Sequence, residues 1–216
     1  RQLKNIEYPI GVYSILWEKG KSAEVSLDSR RIAVLPFMNI SPDPKDEYFA
    51  DGLTEELIST LSTISGLGVI ARTSVMRYKG HSKGISEIGR ELNVGSLLEG
   101  SVRRAEDSLR ITAQLIDSRT EEHLWVQNYD RELKDVFAIQ RDIANRVTES
   151  LQVHLLGKER TRLERTVTAS PHAYALYLKG RHFWNERTKV GIEKALEYFE
   201  LATLEDPEFA LAYTAI

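Results

Sequence analysis

The sequence predicts an α/β (α+β) fold: a mixed sheet with a three-stranded antiparallel meander packed by helices, followed by an all-α helical hairpin. Three observations carry this expectation. Apolar residues at helical spacing alternate with short, wholly apolar runs, which is how strands covered on both faces read. Between Gly95 and Arg131 the apolar period becomes two, so those strands have one wet side. After Pro171 the pattern is helical only, with small and aromatic residues at recurring positions.

Taken in order, Ile6 to Trp17 is an apolar run broken by Pro9 and Gly11; it reads as a strand, with the polar stretch to Arg30 as a linker. Arg31 to Met38 is apolar on both alternating faces and reads as a buried strand. Pro36 withholds an N–H, so that strand ends near it or lies at an edge there. Asp43-Pro44 can cap a helix whose stripe is Phe49, Leu53, Leu57, Leu61 and Ile64, stopped by Gly66 and Gly68. Gly52 inside that stripe costs about 1 kcal/mol, which allows a start as late as Asp51.

Leu67 to Ala71 reads as a second strand, and Ile85 to Leu92 as a short helix with Ile85, Ile88 and Leu92 on one face. The meander is expected at Ser96–Arg104, Leu109–Asp117 and His123–Asp130, turning at 105–108 and 117–120. A long helix follows from Leu133 to Leu156. The charged, Thr-rich residues 157–170 read as a linker. Beyond it, Gly180, Phe183, Ala195, Phe199, Ala202 and Pro207 fall in the order of a tetratricopeptide repeat, whose small residues let two antiparallel helices approach. The first helix or its turn is about three residues longer than the usual unit, and Phe209 to Tyr213 opens another helix.

Composition narrows the function classes. With 29 basic and 32 acidic residues, the formal charge of -3 gives no global attraction to nucleic acid or anionic lipid. The absence of cysteine excludes a disulfide scaffold, a thiol nucleophile and Cys-ligated metal, and permits the expected cytoplasmic location. No run approaches the roughly 18 apolar residues of a membrane span. The start, Arg1-Gln2-Leu3-Lys4, has neither initiator Met nor signal-peptide core, so a segment of a larger protein is expected.

Each chemical motif has a competing structural reading. Gly80-His81-Ser82-Lys83-Gly84 matches a nucleophile elbow letter for letter, but an elbow places its Ser directly between a strand and a helix, and residues 74–79 intervene here. Glu47, Asp51 and Glu55 recur every four residues; a divalent-metal row and the acid-rich start of a helix both read this way, and the second is expected. The glycines of 84–89 lack the Lys-Ser/Thr of a phosphate loop and read as helix punctuation. Arg103, Arg104 and Arg110 lie about acidic Glu106 and Asp107, which favours a solvated sheet face over a nucleic-acid surface. Trp125 and Tyr129 share a strand face and read as core. His81, His123, His154, His172 and His182 show no ligand spacing.

Residues 32–37 (IAVLPF), 47–57 (EYFADGLTEEL), 69–74 (VIARTS), 98–104 (LEGSVRR) and 109–117 (LRITAQLID), with Trp125 through Leu133, resemble the TolB-like amino-terminal domain over about Arg31 to Leu156. In bacteria this resemblance implies a domain set between an N-terminal effector, such as a class III nucleotide cyclase, a kinase or a winged-helix regulator, and C-terminal tetratricopeptide repeats. Residues 3–13 (LKNIEYPIGVY) are also similar to the closing strand of a class III adenylate or guanylate cyclase, with Asn5 at a usual Gly.

The organisation expected is a cyclase-like remnant at 1–17, a linker at 18–30, the TolB-like domain at 31–156, a linker at 157–170 and a truncated repeat segment at 171–216. The function expected is a non-catalytic regulatory and protein-interaction segment without cofactor or metal, because the cyclase's metal-binding and purine-reading residues would lie upstream. Its partner is a protein or peptide met through Tyr177, Phe183, Trp184, Tyr198 and Tyr213, or a neighbouring domain, with no nucleic acid and no membrane insertion. Two alternatives stay open: a hydrolase or metal-dependent enzyme sited in the α/β domain, and the sensor segment of a DNA-binding transcriptional regulator. A lone repeat unit either packs back on the α/β domain or another chain, or is loosely held and exchanges its amides faster.

Overall fold

A computed structural model describes residues 27–164 and 167–216; the strand expected at Ile6–Trp17 lies outside the described residues. Strand β1 (Arg31–Val34) is flanked in parallel by β3 (Gly68–Val69) and by β4 (Ser96–Ala105). Antiparallel β5 (Ser108–Asp117) and β6 (His123–Glu132) continue the sheet in the order β3-β1-β4-β5-β6. The expected break at Pro36 is present. The chain leaves β1 at Leu35, then re-joins β4 as the two-residue β2 (Met38–Asn39), so the proline occupies a position where no ladder N–H is required.

Helix α1 (Glu47–Ser62) begins earlier than Gly52 allows on propensity alone. Asp43 caps a 3-10 turn ahead of it by accepting from the Lys45 amide at 2.8 Å, and Pro44 follows the cap. Short α2 (Arg72–Val75) and α3 (Ile85–Leu92) lie between β3 and β4. Helix α4 (Val136–Ser150) stops short of the expected Leu156. Gln152 there adopts φ 54°, and the Gln152 and Val153 amides donate back to the Glu149 and Thr148 carbonyls at 3.1 and 2.9 Å, closing the helix in a glycine-free Schellman arrangement.

The charged stretch after it carries α5 (Gly157–Glu164). Buried Glu159 fixes α5 to the end of α1 by accepting from the Ser65 and Leu156 amides at 2.6 and 2.7 Å. Helices α6 (Pro171–Asn185) and α7 (Lys189–Glu205) form the hairpin, and α8 (Ala210–Ala215) leans on α7. Ser170 and Thr188 cap α6 and α7 by accepting from Ala173 and Gly191 amides at 3.1 and 2.9 Å.

The hairpin shares one apolar core with the sheet layer, so packing back on the α/β domain is the arrangement adopted. Gly52 makes this approach feasible, since a Cβ there would fall 2.7 Å from Leu178 of α6. Within the hairpin, Gly180 plays the same part against the Phe199 ring. Among the described residues no helix is long and apolar enough to cross a membrane.

Candidate interaction site

The site is the junction of α1 with α6 and the hairpin surface beyond it. Its floor is a chain of aromatic rings running between elements. Phe137 of α4 lies 4.5 Å from Tyr174 between ring centroids, Tyr174 lies 6.5 Å from Tyr177, and Tyr177 meets Phe199 of α7 at 5.8 Å and Phe209 at 5.2 Å. The buried Tyr174 hydroxyl accepts from Gln140 Nε2 at 2.7 Å, which satisfies both groups across the α4–α6 contact. Burial raises the Tyr174 and Tyr177 hydroxyls above the ordinary tyrosine value, so both stay neutral, and the Tyr177 hydroxyl accepts from Arg181 at 2.9 Å.

Above this floor the acid row of α1 meets a basic row. Lys79 Nζ lies 2.6 Å from Glu47 and 2.5 Å from Asp51, and His182 Nδ1 lies 3.4 Å from Asp51. Glu55 is shared by Arg72 at 3.4 Å, by Arg181, and by the Asn185 amide, which donates at 3.1 Å. Burial alone would raise the Asp51 carboxyl, yet the hydrogen bonds and charges of His182 and Lys79 outweigh it and hold it below the usual aspartate value. Lys79 shifts the opposite way: burial disfavours its charge, but Asp51 and Glu47 hold it above the usual lysine value. The carboxylates are thus neutralised by side chains of the same molecule: Asp51 and Glu55 join α1 to α6 through His182, Arg181 and Asn185, while Lys79 and Arg72 tie the row to α2 and the segment after it.

One acid in the junction has no such partner among the described residues. Glu56, half-buried beside Tyr174 and Tyr177, is pushed by burial up to about 7.

The five aromatics named from the sequence do not form one patch. Tyr177 is 3% exposed and belongs to the core. Half-buried Phe183 and Tyr198 stack with parallel rings whose centroids are 5.5 Å apart, with Lys194 over Phe183 and Lys179 bridging Tyr48 and Tyr198. Trp184 lies under the Arg187 guanidinium at 5.2 Å, and Tyr213 is exposed on α8. Sequence reasoning missed the basic half of the junction. Arg181, His182 and Asn185 lie about 130 residues from the acids they meet, so nothing local pairs them.

The other motifs separate. Ser82 is set apart from β3 by α2 and a 3-10 turn, and Gly84 is the N-cap residue of α3, so the strand-Ser-helix geometry of an elbow is not formed. Arg103 and Arg110 pair across the open sheet face, where Arg110 holds Asp130 at 2.5 Å. Arg104 turns to the other face, toward Asp46 and Tyr48, so the three arginines share no surface. Gly89 packs against Ser118, and Trp125 and Tyr129 lie against the core as expected.

The family model described as HilA/YgeH-like transcriptional regulator, second domain, matches residues 28–146. A curated relative from Rhizobium meliloti (strain 1021), named "Putative adenylate cyclase 3", is 38% identical over 226 residues. That match covers 100% of this chain and 38% of the relative, so the chain spans well under half of the relative's length. Among solved structures, lipoprotein GNA1162 from Neisseria meningitidis is 18% identical with a TM-score of 0.42, covering 56% of this chain and 99% of that one. TolB from Acinetobacter baumannii is 13% identical with a TM-score of 0.43, covering 56% of this chain and 28% of that one.

Proposed function

This chain belongs to the family of the HilA/YgeH-like transcriptional regulator, second domain, and from that membership we propose that it is a regulatory, non-catalytic protein-interaction segment of a multidomain bacterial signalling protein. The observation that carries the reading is the junction itself. Ion pairs and a shared aromatic core couple a repeat-like hairpin to the sheet layer, so a load or partner on the hairpin is felt by α1. The hairpin reads as a tetratricopeptide unit, with Phe183, Trp184, Tyr198 and Tyr213 facing a protein or peptide partner and Tyr177 supporting them from within.

The effector in this reading is an upstream class III nucleotide cyclase, consistent with the name of the relative from Rhizobium meliloti. In this reading the protein works in the cytoplasm. The isolated segment is expected to form no cyclic nucleotide from ATP or GTP with Mg²⁺ or Mn²⁺, while a longer protein carrying it does so at a rate altered by Glu55→Ala. Turnover by the segment alone, or ester hydrolysis lost in Ser82→Ala, would overturn the non-catalytic reading. A second reading, favoured by the family description, makes the upstream effector a DNA-binding domain. Specific DNA binding without cyclase activity in the longer protein would select it.

A further inference from the structure

Sheet order gives one crevice a topological origin. The chain runs from β1 through α1 to β3 on one side, then from β3 through α2 and α3 to β4 on the other side of β1. Right-handed crossovers leaving in opposite directions put α1 and α3 on opposite faces of the sheet. The β4–β5 register agrees: Leu98, Ala113 and Leu115 share one face, and Glu99, Ser101 and Gln114 the other. The loop leaving the carboxyl end of β1 and the segment joining α2 to α3 therefore leave a gap between them beyond the end of β1, and open α/β sheets hold ligands outside the carboxyl ends of their strands. Here the gap is a cavity of about 700 Å³ between residues 35–39 and 78–83, within the range that takes small ligands.

Its lining selects a chemistry. Pro36, Tyr78, Ile85 and Ile88 give apolar walls, while Glu99 and Ser101 belong to a polar floor. Both rim lysines are already neutralised, Lys79 by Glu47 and Asp51, Lys83 by Glu87 and Glu91. Half-buried Glu99 receives the Gln114 amide at 2.6 Å, and among the described residues no Lys, Arg or His lies within ion-pair distance of it. A carboxylate without a counter-ion beside aliphatic walls suits a cation on an alkyl arm.

We propose that this crevice binds a primary alkylammonium group, with the ammonium on Glu99 and the alkyl chain along Ile85 and Ile88. The crevice adjoins the α1–α6 junction through Glu47 and Lys79, but its Glu99 takes no part in that junction and the proposal does not depend on the signalling reading. Two sources share the chemistry, a free aliphatic diamine and a lysine side chain of a peptide. The test is a ¹H–¹⁵N titration of the whole chain with cadaverine and, separately, with a lysine-containing tripeptide capped at both ends, hexanoate serving as the anionic control. Saturable shifts are expected at residues 36–39, 79–83 and 99–101, with none from hexanoate. Saturation by cadaverine alone identifies a free amine as the ligand, and saturation by the tripeptide alone a lysine side chain. Glu99→Gln, with its melting temperature unchanged, should bind about tenfold more weakly. Ser101→Phe, which fills the crevice without altering charge, should abolish binding. Absence of saturable shifts with both amines, or wild-type affinity in either variant, overturns the proposal.

Discussion

Two glycines show how a single missing methyl sets the packing. A Cβ at Gly180 would lie within 3.0 Å of the Phe199 ring, which is buried and has no room to turn aside; at Gly52 the obstacle is the flexible end of Leu178. Overpacking costs about 1–3 kcal/mol and a helical Ala returns about 1 kcal/mol. Gly180→Ala should therefore destabilise by up to about 2 kcal/mol in urea unfolding, and Gly52→Ala by less; the reverse order would contradict the packing described. Glu56 makes a second residue-level prediction. Its carboxyl, raised by burial from 4.5 to about 7, binds a proton in the folded state that the unfolded chain has released. Stability should therefore fall as pH rises from about 4.5 to about 7, by on the order of 3 kcal/mol, and then level off. Glu56→Gln should flatten that window and be the more stable protein at pH 8. Asp51 acts in the opposite sense: held below its ordinary value, it contributes stability that is lost only on further acidification.

At the scale of elements, the α1–α6 junction depends on Glu55. Removing it leaves half-buried Arg72 and Arg181, each repelled by Arg187, without their shared carboxylate. Glu55→Ala is expected to cost about 2–4 kcal/mol, toward the value for breaking a buried pair. Amide exchange should show the loss concentrated in α6 and α7, with β4–β6 little changed. Uniform loss across the sheet would mean that Glu55 supports the core rather than the junction. The Ser170 cap is a smaller, local contribution: Ser170→Ala should cost about 1 kcal/mol and raise exchange first at the Ala173 amide, which the hydroxyl now accepts from.

On the scale of the whole molecule, the shared core predicts that the hairpin and the sheet layer unfold together. Tyr174, Tyr177 and Leu178 are buried against α1 and α4, so deleting residues 171–216 uncovers Phe137, Gln140 and the Gly52 face at once. The shortened chain should melt lower and bind a hydrophobic dye, while the full chain should show one transition with coincident probes. Two resolved transitions would show that the hairpin is an independent unit despite the contacts.

The sequence by itself determined the secondary structure closely. The change from helical to two-residue period marked the meander at its observed strands, Pro36 marked the break before β2, and the small-aromatic order marked α6 and α7. These signals are local: spacing, caps and turn residues act within a few positions of the chain. It misjudged the end of α4, because the left-handed conformation at Gln152 is adopted by a residue that does not advertise it. The charge-rich stretch read as a linker carries α5, since Glu159 finds its acceptor role only against Ser65. Only the tertiary structure decided what the acid row of α1 faces, where Glu56 is buried and which aromatics reach the surface. Those outcomes depend on which helix lies across α1, and pair energies between residues more than a hundred positions apart leave no period in the sequence to read.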